Sequence, residues 1–168
     1  MILFRQKEKL VRTINSLLQA SLKIDLAFLV EDAMHDTASG YVDLQKQQLF
    51  AGTQSDASQI TRLGASYPVY APSTVKAKIK KGQPVDRVTL KDTSSFYDGI
   101  FAEARSEGFA VDSLDPKSGK LQSDYGPKIF GLDEDYRSQY AQGLIAVLLA
   151  KFENVVNQGT GVPQSVAA

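Results

Sequence analysis

No proline occurs before Pro68 and no glycine before Gly40. That absence constrains the fold more than any motif does, because proline and glycine are the strongest interrupters of regular backbone. Across residues 2–50, Leu10, Ile14, Leu17, Leu18, Leu22, Leu26, Leu29 and Val30 recur at helical spacing. The pattern predicts two helices rather than one rod. It puts the break near Leu22–Asp25, or around Thr37–Gly40, where small residues cluster. In the second arm Tyr41, Leu44, Gln48 and Leu49 lie near one face, and Gly52 is placed to end it. Such a hairpin serves one of two ends: it covers its own sheet, or it packs on a neighbouring subunit.

Residues 51–72 are rich in turn formers, with Tyr67 before Pro68 and Ala71 before Pro72. Residues ahead of proline favour extended backbone. Tyr67 and Tyr70 in this connection, and Tyr125 later, are either contact anchors for a partner or pins that hold loops to their own domain. Ser73 is placed to cap a short basic helix over 74–81, stopped by Gly82. Val75 and Ile79, one turn apart, are its expected anchors on the body. Lys76, Lys78, Lys80 and Lys81 would spread over the rest, as a solvated face or a phosphate-facing patch.

Val88-Thr-Leu90 reads as a strand. Asp92 is placed as the N-cap of a single turn carrying Phe96 and Tyr97, ended by Gly99. Asp92, Thr93, Phe96 and Ile100 would form a structural hinge between helices and sheet. A hairpin follows: Ile100–Arg105 and Phe109–Ser113 flank a turn in which Gly108 supplies the special conformation. Alternation of Phe109 and Val111 with Ala110 and Asp112 predicts one buried face. Asp115-Pro-Lys-Ser-Gly119 is a turn signal, with Lys117 and Lys120 beside it. Asp133 caps the last helix, whose apolar stripe runs through Tyr136, Tyr140, Leu144, Val147, Leu148, Phe152, Val155 and Val156. Gly143 within it is a weak point or a close-contact point. The expected organisation is a single domain over 1–156 and a flexible tail over 157–168.

The chain offers little reaction chemistry. With 168 residues, 19 basic and 19 acidic side chains and no cysteine, it lacks the basic excess of a dedicated nucleic-acid binder. It also has no thiol for a disulfide or metal site. His35 is the only histidine, so a metal site would rest on carboxylates alone. Asp112, Asp115 and Asp124 do not have the spacing of a calcium loop. No phosphate-binding loop, nucleophile elbow or dinucleotide fingerprint occurs. No catalytic residue, metal or cofactor is expected. The start of the chain lacks the order of a secretory signal, and no apolar run reaches the ~20 residues that span a bilayer.

Gln48-Leu-Phe50, Tyr70-Ala-Pro-Ser-Thr74, the lysine segment ending at Gly82, and Leu90, Asp92, Thr93, Phe96 and Ile100 follow one another along the chain. Phe109-Ala-Val111, Tyr125-Gly126 and Phe130-Gly131 come next. That order of motifs resembles the tailed-bacteriophage virion morphogenesis and tail completion proteins. Gly82-Gln-Pro84 with Arg87-Val-Thr-Leu90, and Ile129-Phe-Gly-Leu132, look like versions in phages and prophages of Bacteroidetes-type hosts. Ser94 stands where the pattern has glycine, and Gly99 where it has serine. The resemblance covers about residues 45–132. It implies a non-enzymatic virion part at the neck or head-proximal tail, assembled in the host cytoplasm. It further implies a ring, hexameric or dodecameric, of copies of the chain that touches other neck, portal-adaptor or tail-tube proteins and passes DNA non-specifically.

The expected fold class is therefore α+β: an N-terminal helical hairpin, a small mainly antiparallel sheet over 86–113, and a C-terminal helix packed on the sheet. Expected contacts with partners are Tyr67, Tyr70, Lys76, Lys78, Lys80, Lys81, Lys117 and Lys120. The alternative function is a nucleic-acid-binding accessory protein using the Lys76–Lys81 patch. A carboxylate-only metal enzyme built on Asp112 and Asp115 is a more distant third.

Overall fold

The computed structural model describes Arg12 and residues 26–64, 70–105 and 107–160. The first arm of the expected helical hairpin, its break at Leu22–Asp25, Tyr67 and residues 161–168 lie outside the described residues. The described chain is α+β, as its pattern predicts: a helix, a small antiparallel sheet, and a C-terminal helix packing with them.

Helix α1 (Leu26–Ala51) buries Leu29, Ala33, Met34, Gln45, Gln48 and Leu49, one side of a 3.6-residue period. The expected break at Thr37–Gly40 does not occur. Thr37 Oγ1 donates back to Ala33 O (2.8 Å) and shares a 2.7 Å hydrogen bond with the Tyr140 hydroxyl. Packing thus overrides the weak local propensity there. Gly52 ends the helix at φ +84°, its N–H donating to Leu49 O. That is a left-handed stop of the kind glycine tolerates.

Strands β1 (Ile100–Arg105) and β2 (Gly108–Ser113) pair antiparallel, with Ala102 opposite Val111 and Ala104 opposite Phe109. Ile100, Ala102 and Ala104 are the more buried side of β1, which packs against α1. The sheet is smaller than 86–113. Val88-Thr89-Leu90 pairs with no strand, because tyrosine side chains take its backbone groups instead. Thr89 N donates to the Tyr70 hydroxyl at 2.8 Å, and the Tyr97 hydroxyl donates to Thr89 O. Leu90 then turns into the left-handed region at φ +53°, which ends any extended run.

Two short helices, α2 (Pro72–Lys80) and α3 (Ser95–Asp98), differ from expectation at their starts. Pro72 occupies the first turn of α2 and Ala71 precedes it, so Ser73 is not the cap. Proline suits that position because its missing N–H would be unpaired there anyway. In α3 the cap position is Ser94, and no side chain bonds the free N–H groups. Asp92 does not cap it; its carboxylate pairs with Lys81 instead.

Helix α4 (Ser118–Tyr125) follows the 115–117 turn, and a 3₁₀ turn covers Pro127–Ile129. Helix α5 (Glu134–Thr160) starts as predicted, with Asp133 Oδ1 accepting from Tyr136 N at 3.0 Å. It runs four residues past the expected end at Val156. Tyr41, Phe109 and Tyr140 form a ring cluster with centroids 4.5–5.6 Å apart, joining α1, β2 and α5. Farther along, Lys151 bonds Asp32 and Asp36 across the helix pair. The core proper is Leu49, Ile60, Val88, Phe96, Tyr97, Ile100 and Ile129, with Tyr70, Leu90, Val111, Leu121, Tyr125 and Phe130 packed on it.

Candidate functional site

The stretch from Val88 to Phe101 is held from three sides, and the site grows from that. Phe96, Tyr97 and Ile100 sit in the core, while Asp92 and Thr93 are exposed. Thr93 Oγ1 lies 2.9 Å from Ser95 Oγ. Gly99 is needed for space rather than conformation. A Cβ there would lie 2.8 Å from Ser113 Oγ and 3.0 Å from Asp115 N. This close approach lets the end of β2 lock onto α3, with Ser113 Oγ donating to Phe96 O.

Helix α2 lies against this stretch on a face that includes Val75, as expected, but Lys78 in place of Ile79. Lys78 is buried (6% exposed) and Ile79 is exposed (63%); Val75 is half-buried. The Lys78 stem runs inward and its Nζ lies 4.6 Å from the centre of the Tyr70 ring. Its three protons go to Lys91 O (2.8 Å), Gln83 Oε1 (3.2 Å) and Thr89 Oγ1 (3.3 Å). A long aliphatic stem can cover apolar surface while its head finds polar partners. Lys81 pairs with Asp92, and this hydrogen bond holds the Asp92 carboxyl below the usual carboxylate range. Lys76 and Lys80 remain exposed, so the four lysines do not form one solvent-facing row.

Between α2, residues 90–92 and α4 lies a cavity of about 250 Å³, walled by Tyr70, Leu90, Leu121 and Tyr125 with lysines at its edge. A second of about 200 Å³ lies across Leu90–Asp92, reaching Phe96 and Lys117. Tyr70 is half-buried against the core, so it pins its loop to its own domain. Burial raises the Tyr125 hydroxyl above its ordinary pKa. Lys117 and Lys120 are exposed, and Lys120 lies 3.6 Å from Asp124 on the same face of α4.

The acidic residues are occupied in local structure. Asp112 Oδ1 accepts from Ser113 N and Ser118 Oγ (2.7 and 2.6 Å). Asp115 Oδ1 accepts from Lys117 N, and Asp124 faces Arg62 and Lys120. His35 is exposed beside Asp36. Among the described residues no group of three metal-ligating side chains converges, and no helix is long and apolar enough to cross a membrane.

Two glutamines of α1, Gln48 and the previously unremarked Gln45, are fully buried. Gln45 donates to Ile129 O (3.2 Å) and accepts from Gly131 N (2.7 Å). Gln48 donates to Gly131 O (2.9 Å) and accepts from Asp133 N (2.7 Å). Together they bind Ile129–Asp133 along α1 as a strand would, just ahead of α5. Their signal in the sequence is two polar residues, three apart, on the apolar side of a helix. No family model, curated protein or solved structure matches this chain.

Proposed function

We propose that the protein is a structural virion subunit of a tailed phage, completing the tail or joining it to the head at the neck as one member of a ring. The observation that carries this reading is the distribution of exposed apolar side chains. Leu26 and Val30 on α1, Ile145 and Leu149 on α5, Ile79 on α2, and Leu63 and Leu114 in connections are all exposed. A ring closes through heterologous contacts, in which one surface of a subunit meets a different surface of the next. Exposed apolar groups on separate elements suit such contacts. The residues that carry the family resemblance add support. Leu49, Phe96, Ile100 and Phe130 meet in one cluster, and Gln48 binds the Ile129–Asp133 segment, so these motifs belong to one structural joint.

The nucleic-acid reading draws on fewer charges than its motif promises, since Lys78 is buried and Lys81 is paired. Disrupting the gene in a phage that carries it tests the main proposal. The expected result is filled heads and separate tails in the lysate. Intact infectious particles at undiminished titre would refute it.

A further inference from the structure

The geometry points to the paired cavities beside Leu90–Asp92 as a docking cleft for an acidic peptide segment bearing an aromatic or leucine side chain, contributed by a partner protein. Three independent features meet there. The first is charge. Lys78, Lys81, Lys91 and Lys117 line the two cavities against only Asp92 and Asp115, in a chain whose formal net charge is 0. Lys81 is matched by Asp92. Among the described residues neither Lys78 nor Lys91 has a carboxylate partner. Lys78 meets neutral acceptors, and Lys91 lies 5.6 and 5.7 Å from the ring centres of Phe50 and Tyr97. An approaching carboxylate therefore meets an uncompensated positive field in a partly desolvated place, where charge complementarity selects partners.

The second feature is shape. Cavities of about 250 and 200 Å³ fall below the ~300–1,000 Å³ of small-molecule sites. They suit single side chains, and the walls of Tyr70, Leu90, Leu121 and Tyr125 suit apolar ones. Nucleic acid fits poorly, because its backbone is held through several phosphate contacts at once and two side-chain-sized cavities do not supply them. The third feature is strain. Leu90, at the shared wall, holds φ +53°, a conformation costly for a branched side chain and concentrated at ligand clamps. This cleft is independent of whether the protein is a virion part.

The test is selection of a random heptapeptide library on the full-length protein, followed by fluorescence anisotropy of the selected peptides. The expected winners carry Asp or Glu beside Phe, Tyr, Trp or Leu. Lys91→Glu should weaken them about tenfold at low salt, and Lys76→Glu by less than about twofold. Replacing the winner's acid with its amide should also weaken binding. Selection of peptides without acids, winners indifferent to Lys91→Glu, or no enrichment would each overturn the proposal. Equal competition by a short DNA duplex would also overturn it, in favour of a phosphate surface. Lys91 is half-exposed and a retained thermal transition in Lys91→Glu separates loss of binding from loss of folding.

Discussion

Lys78 shows how a single side chain decides the orientation of a helix. Burying a cation is costly unless its protons are matched, and here all three protons find acceptors while the ammonium lies over the Tyr70 ring. Lys78→Ala should therefore lower stability by about 2–3 kcal/mol, from lost packing and acceptors left unmatched. Lys76→Ala and Lys80→Ala should stay within about 0.5 kcal/mol. Urea unfolding of the three variants checks the contrast. Equal effects would mean that α2 presents all its lysines to solvent. Tyr97 gives a pH signature of the same kind. Burial holds its hydroxyl well above the ordinary tyrosine value, and burial also raises Tyr41, Tyr125 and Tyr140. Below the unfolded pKa of about 10 both states keep these protons. Above it the unfolded chain ionises first, so stability falls as pH rises from about 10 toward the folded values. Thermal melts from neutral to alkaline pH should show that decline. Tyr97→Phe should make it shallower, at a neutral-pH cost of about 1 kcal/mol for the lost bond to Thr89 O.

At the scale of elements, residue pattern reveals some ends, whereas the starts of α2 and α3 differ from expectation. Asp133 ahead of Glu134-Asp135 marks the start of α5, Gly52 marks the end of α1, and Gly108 marks the hairpin turn. Each acts through local backbone chemistry that needs no distant partner. The inward face of α2 is not legible this way, because Lys78 is buried by acceptors on Gln83, Thr89 and Lys91. The failed strand at 88–90 has the same cause. Its β-prone or apolar residues are buried or half-buried, but Tyr70 and Tyr97 take the backbone bonds that a neighbouring strand would have made. The Gln45 and Gln48 clamp was visible only as an anomaly in an apolar stripe. Gln48→Ala should cost about 2–3 kcal/mol, since it strands the buried Asp133 N–H and an acceptor on Gly131. Hydrogen exchange at the Asp133 amide should rise with it; an unchanged rate would argue against the clamp. Gly40 is the opposite case. It lies inside α1 with open space where a Cβ would stand. Gly40→Ala should therefore raise stability by about 0.5–1 kcal/mol in thermal unfolding, whereas a real helix break at 37–40 would make it neutral or harmful.

For the molecule as a whole, the described chain is a scaffold of two long helices and a hairpin knit by tyrosines, glutamines and one buried lysine. Its apolar side chains exposed on separate elements are the features that association would use. The proposed role takes that association into a virion. Quantitative mass spectrometry of purified virions, with tail-assembly intermediates run alongside, tests this most directly. Peptides of this chain are expected in a fixed ratio to portal and tail-tube subunits, at the low copy number of a single ring. Absence of the chain from both virions and intermediates would contradict it.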